Sequence, residues 1–115
     1  MIAQYEMDRV LKMFSPEELQ IVAIRSGAQD GCCPPDYLLY GEEITRYSVA
    51  LTALRDLCDD ITRRSRTGIV MPRVIVRIDD PYALIMRCPD GEIANLLDTI
   101  VAHGKDCGIE LKKGA

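Results

Sequence analysis

The chain predicts an α+β domain: N-terminal helices, one of them long and amphipathic, followed by a β-β-α-β unit with a small, mainly antiparallel sheet. Three observations predict it. From Gly41 to Gly68 apolar residues recur at steps of three and four, from Arg73 to Asp79 the period switches to two, and from Ile93 to Val101 it returns to that of a helix. A chain of 115 residues is long enough for one hydrophobic core and short for two. No repeat, low-complexity tract or linker-like stretch divides it, so a single domain over residues 1–115 is expected.

The first element expected is a helix from Ile2 to Phe14, with Ile2, Tyr5, Val10, Leu11 and Phe14 loosely on one side. Ser15-Pro16-Glu17-Glu18 then reads as a second helix start. Ser15 can cap, Pro16 suits the first helical position and Glu18 stands at the capping-box offset. A rival reading makes Gln20 to Arg25 a strand, because Ile21, Val22 and Ile24 are β-branched; the capping signal favours helix. Gly27 to Tyr40 is a breaker-rich connection, with Tyr37 to Tyr40 tucked back on the core.

The long helix over Gly41 to Gly68 carries Ile44, Tyr47, Leu51, Leu54, Cys58 and Ile61 on one face, and Ala50 and Leu57 widen it beyond a coiled-coil seam. Glu42 and Glu43 in its first turn and Arg63 and Arg64 in its last oppose the helix dipole, and Gly68 is a stop. Asp59 with Arg63 and Asp60 with Arg64 are acid-before-base pairs four apart. Arg73 to Asp79 reads as a half-buried strand broken by Asp79-Asp80-Pro81, and Ala83 to Cys88 as its hairpin partner. A three-residue loop sets Ile78 against Leu84 and leaves Arg73, Arg77 and Arg87 on the outer face. Asp90 can cap the next helix, whose stripe of Ile93, Leu96, Leu97, Ile100 and Val101 is closed by Gly104. Ile109 and Leu111 alternate with Glu110 and Lys112 as a final strand.

Composition narrows the function classes. The chain is 48% apolar and 28% charged, and no apolar run approaches the length of a bilayer span, so no membrane partner is expected. No secretory signal pattern opens the sequence, and five irregularly spaced cysteines fit a reducing compartment, so the expected location is cytoplasmic. One histidine and no CxxC argue against a structural zinc site, and neither a metal nor another cofactor is expected. Gly-rich phosphate-cradling motifs are absent, which sets aside Rossmann and P-loop enzymes. His103 reads as a helix-end cation, and the pairs Asp59-Asp60 and Asp79-Asp80 as helix-surface and turn chemistry. An enzyme is the less favoured expectation.

Two features remain as candidate sites. Residues 1–60 carry eleven acids and five bases, residues 61–115 seven acids and nine bases, and 61–78 hold five arginines with no acid. Arg63, Arg64, Arg66, Arg73, Arg77 and Arg87 could form one cationic surface for phosphates or an acidic partner. The low aromatic content, one Phe, five Tyr and no Trp, argues against a stacking platform for single strands. The second candidate is the vicinal pair Cys32 and Cys33 as reactive thiols; no Lys, Arg or His stands within six positions to lower their pKa. In outline, Gly68-Ile69-Val70-Met71-Pro72 with the expected hairpin and closing helix resembles the later part of a thioredoxin-type domain. Cys32-Cys33-Pro34-Pro35 is not a CxxC and no early β-α-β unit is read, so no membership is inferred.

The function expected is a small non-catalytic binding or regulatory module acting through a protein interface. Its leftover apolar surface points to a homodimer. The alternatives are a binder of nucleic acid or another phosphate-bearing ligand through the arginines, and a thiol or redox protein.

Overall fold

A computed structural model describes residues 13–25, 35–88 and 90–113. The first expected helix lies outside the described residues apart from its end, and Cys32 and Cys33 lie outside them altogether. Helices and a three-stranded sheet are present, but the sheet is wholly parallel, in the order β1 (Leu19–Ile24), β2 (Arg73–Ile78), β3 (Ile109–Lys113), not mainly antiparallel as expected.

Two segments account for the correction. The capping box at Ser15 forms as read: the Ser15 amide and hydroxyl both donate to Glu18 Oε1 at 3.0 Å. It closes one turn, with Glu18 and Leu19 amides on Ser15 O, and the chain then runs straight into β1. A capping interaction contributes about 1 kcal/mol. Burying each of Ile21, Val22 and Ile24, all at most 5% exposed, contributes roughly 1.5–3 kcal/mol. Burial on both faces wins, and it is also why β1 reads as an apolar run rather than an alternation.

The second segment follows β2. Ala83 to Cys88 is not a strand, and no hairpin forms. Asp80 caps a short helix, α2 in the numbering used below, over Pro81–Met86; its Oδ1 accepts from the Ala83 amide at 3.0 Å and Pro81 occupies the first turn.

Between β1 and β2 runs α1 (Tyr47–Thr67). It begins six residues later than expected, because Ile44 is drawn into pairing with Ile24 of β1. Its buried positions are Ala50, Ala53, Leu54, Leu57, Ile61 and Arg64, so the stripe centres on Ala50 and Leu57 while Tyr47, Leu51 and Cys58 flank it. Gly68 ends the helix in the left-handed conformation, its amide on Arg64 O. The final helix, α3 (Glu92–Thr99), continues through a π turn at Ile100–Gly104 and a 3₁₀ turn at Lys105–Cys107. Asp90 Oδ1 accepts from the Glu92 amide at 3.1 Å, as its capping role predicts. Gly104 is helical and not a stop: a side chain there would stand 2.5 Å from Ile109 O, so its smallness lets the turn touch β3. The reversal belongs to Gly108, with φ 80° and Val70 O against it.

The connections β1-α1-β2 and β2-α2-α3-β3 place their helices on one face of the sheet. One core joins Val22, Ile24, Val74, Val76, Ile78 and Ile109 to Leu54, Leu57 and Ile61 of α1 and to Ile93, Leu97 and Ile100. On the other face, among the described residues, cover is seen over β1, where Ile21 and Ala23 pack with Leu38 and Tyr37. Arg73 is exposed there, and Ile75, Arg77, Glu110 and Lys112 are half-buried. No helix among the described residues is long and apolar enough to cross a membrane.

Candidate functional site

In a parallel sheet the helix N-termini and the carboxyl ends of the strands lie at the same edge, so the loops there gather polar side chains and the positive ends of helix dipoles. Here β1 and β2 end at Ile24 and Ile78, α1 begins at Tyr47, and α2 begins behind Asp80. Between them lies a cleft of about 30 Å³ with a floor of Ile24, Ala50, Ile78 and Leu84 and a rim of Arg25, Thr45, Arg46, Tyr47, Asp79, Asp80 and Arg87. That volume holds one or two waters or a single small charged group.

Each rim residue is placed by its element. Arg25 follows β1 directly, its amide on Ile44 O at 2.8 Å. Its side chain is 24% exposed and faces Glu43, 9% exposed, with Nε 3.5 Å from Glu43 Oε1. This is a charge contact without a hydrogen bond: Arg25 Nε and Nη1 and Glu43 Oε1 are all buried and have no hydrogen-bond partner among the described residues. Arg46 precedes α1 in extended conformation and offers no side-chain cap, so the first-turn amides of a 21-residue helix stand at the cleft without one. Arg87 follows α2 and stacks over the Tyr47 ring, 5.2 Å from its centroid. A hydrogen bond with Cys88, then burial and nearby acidic groups, raise the Tyr47 phenol above its ordinary 10.0, so it is neutral at physiological pH. Cys88 Sγ in turn donates to Asp90 Oδ1 at 3.0 Å. Of the rim acids, Asp80 is committed to capping α2.

The six arginines read from the sequence do not form one surface. Arg64 is 5% exposed and structural: Nε donates to Asp60 Oδ2 at 2.8 Å and Nη1 to Cys107 O at 2.9 Å. Arg63 is exposed and also pairs with Asp60, its Nε at 3.0 Å from Oδ1, so Asp60 serves both arginines. Arg66 and Arg73 are exposed near the amino end of the sheet, and Arg77 is half-buried on the face opposite the helices. Arg87 is not on the sheet's outer face, because the strand expected to carry it is α2. It lies at the carboxyl end, and a strand of five or six residues spans roughly 17–20 Å, too far for Arg87 to share a small ligand with Arg63 or Arg66. Arg25 and Arg46 escaped the sequence reading. Their signal, a charge directly after a strand and another directly before a helix, acquires meaning only once β1 is a strand.

Among the described residues no group of three or more His, Cys, Asp or Glu side chains could hold a metal ion. The described cysteines, Cys58, Cys88 and Cys107, are free, and burial followed by the charge of Asp59 pushes the Cys58 thiol up, away from the reactive thiolate. The early β-α-β unit not legible in the sequence is present as β1-α1-β2. Comparisons of the chain with protein-family models, with curated proteins and with solved structures found no match.

Proposed function

We propose that the chain is a small non-catalytic binding module whose site is the cleft at the carboxyl edge, and that it takes one anionic group, a carboxylate or a phosphate, presented by a partner molecule. The observation that carries this reading is the convergence of Arg25, Arg46 and Arg87, from three separate elements, on a cleft with room for a single such group. The dipole of α1 adds to it, since its positive end meets the cleft. A reducing, cytoplasmic setting belongs to the same reading, with three described cysteines free.

A second reading places an acidic protein or nucleic acid on Arg66 and Arg73, which are exposed and have no ion-pair partner among the described residues. It is the weaker one, because the C-terminal end of α1 carries the negative pole and Arg63, Arg64 and Arg66 complement it.

The test is a titration of isotopically labelled protein with inorganic phosphate and with acetate at low ionic strength, read by amide chemical shifts. The expected result is a saturable shift at Arg25, Tyr47 to Val49, Asp79 and Arg87, weakened about fivefold or more by Arg46→Ala or Arg87→Ala and reduced by added salt. Shifts confined to Arg66 and Arg73 favour the second reading. No shift at about 10 mM of either anion, weaker than any useful affinity, rejects the first.

A further inference from the structure

β1 and β3 are the two edges of the sheet, and they are treated differently. The outer edge of β1 is occupied: the Leu39 amide donates to Ile21 O at 2.9 Å, the Ile44 amide to Ala23 O at 2.7 Å and the Arg25 amide to Ile44 O at 2.8 Å. Nothing among the described residues pairs with the outer edge of β3. The Val74 amide donates to Gly108 O at 2.8 Å, and in a parallel ladder this fixes the alternation. The amides and carbonyls of Glu110 and Lys112 turn toward β2, and those of Ile109, Leu111 and Lys113 turn outward.

We infer that this edge pairs antiparallel with the same edge of a second copy of the chain, centred on Leu111, joining two three-stranded sheets into one of six. Two antiparallel edges can be related only by a two-fold axis perpendicular to the sheet, so directly opposed residues lie on the same face. The strand Ile109-Glu110-Leu111-Lys112-Lys113 then has three interior centres. Centring on Glu110 opposes two glutamates, and centring on Lys112 opposes two lysines, both unfavourable. Centring on Leu111 opposes Glu110 to Lys112 on both sides of the axis and Leu111 to itself.

The hydrogen-bond count favours the same centre. Leu111 meets Leu111, and Ile109 meets Lys113 twice, so three outward-facing pairs exchange two bonds each, six in all. Either neighbouring centre leaves only two such pairs and four bonds. Lysines on an edge strand ordinarily discourage pairing; here Glu110 and Lys112, 3.3 Å apart within one chain, flank Leu111 so that one register gains from them. Beside the edge, a groove of about 180 Å³ lined by Ile100, Val101, Lys105 and Leu111 leaves Val101 63% exposed, an apolar rim that a second copy would cover.

Sedimentation equilibrium and charge reversal test this. The full chain is expected to move with concentration from its 12.9 kDa monomer mass toward twice that. Glu110→Lys sets lysine against lysine and Lys112→Glu sets glutamate against glutamate, so each alone should weaken dimerisation about tenfold or more. An equimolar mixture of the two variants, and the double variant E110K/K112E, restore opposite charges and should recover dimers. The Leu111 amide should gain protection from hydrogen exchange as concentration rises, while the Lys112 amide, already bonded to β2, should not. A chain that stays monomeric at about 1 mM, beyond any physiological association, overturns the inference. So do single reversals that dimerise like the parent, or a mixture that does not recover.

Discussion

At the amino end of the sheet Arg64 is almost completely buried, yet Asp60 and the carbonyl of Cys107 take its Nε and Nη1 at 2.8 and 2.9 Å. At the carboxyl end Arg25 is half-buried beside Glu43, and its buried Nε and Nη1 have no hydrogen-bond partner among the described residues. A buried guanidinium whose donors are satisfied ties elements together; here it fastens α1 to the turn before β3. A buried guanidinium whose donors are not satisfied costs free energy as it stands. The first arrangement is structural, and the second is the place where the proposed anion would complete the pairing.

The largest effect expected from this contrast is at Arg64. Arg64→Ala leaves the buried Cys107 carbonyl without its donor and opens a cavity where the guanidinium lay, while Asp60 keeps only Arg63; removing one partner of such a buried pair costs about 3 kcal/mol. Urea denaturation should show that loss and thermal melting a fall of roughly 10–20 °C. A change under about 1 kcal/mol, the level of a surface pair, would put Arg64 in the same class as the exposed Arg63.

Arg25 and Glu43 should respond in the opposite pattern. Arg25→Met or Glu43→Leu alone leaves one buried charge without its counter-ion and should cost about 1–3 kcal/mol. The double variant R25M/E43L removes both and should return to within about 1 kcal/mol of the parent, because a pair without hydrogen bonds contributes little net stability. A double-mutant cycle by urea denaturation measures this coupling. If the double variant loses as much as the two singles summed, the pair is a structural one like Arg64 and Asp60, and the contrast between the two ends fails.

The same two ends differ in how far the sequence discloses them. α1 is legible because its period persists over 21 residues, and Gly68 marks its end. β2 is legible because Val74, Val76 and Ile78 alternate with half-buried or exposed neighbours. Leu19 to Ile24 carries a real capping box and a short apolar run, and neither reveals that the strand is buried on both faces. Ala83 to Met86 is too short to display a period, and the informative residues are Asp80 and Pro81 before it. Reading Leu19 to Ile24 as helix hides one strand of the parallel sheet, and reading Ala83 to Cys88 as a strand supplies a false antiparallel partner and sets Arg87 on the wrong surface. Arg63, Arg64 and Arg66 could be placed at the end of α1 because their position depends on one helix alone. The Arg25, Arg46 and Arg87 cleft depends on three elements and on strand direction, which no local pattern contains.

The smallest expected effect is on the surface between α1 and α3, where Arg55 donates from Nε and Nη2 to the two carboxylate oxygens of Glu92, both at 2.6 Å. That hydrogen bonding, followed by the charge of Arg55, holds the Glu92 carboxyl below its ordinary 4.5 against the opposing effects of desolvation and Asp90. Asp90 is lowered too, by the Cys88 thiol and the Glu92 amide. A carboxyl depressed in the folded state contributes stability above its unfolded value and loses it as pH falls through the folded one. Stability should therefore decline on the acid side, below about pH 4.5, and stay flat from there toward neutrality for these groups. Arg55→Ala should return the Glu92 titration, followed by carboxyl NMR, toward the ordinary value and shallow the acid slope. Half a molar salt should do nearly the same, since the pair is open to solvent and its attraction is screened. A Glu92 titration unmoved by both would assign its shift to the N-terminal end of α3 instead, where Glu92 occupies the first turn and the helix dipole favours a carboxylate without help from α1.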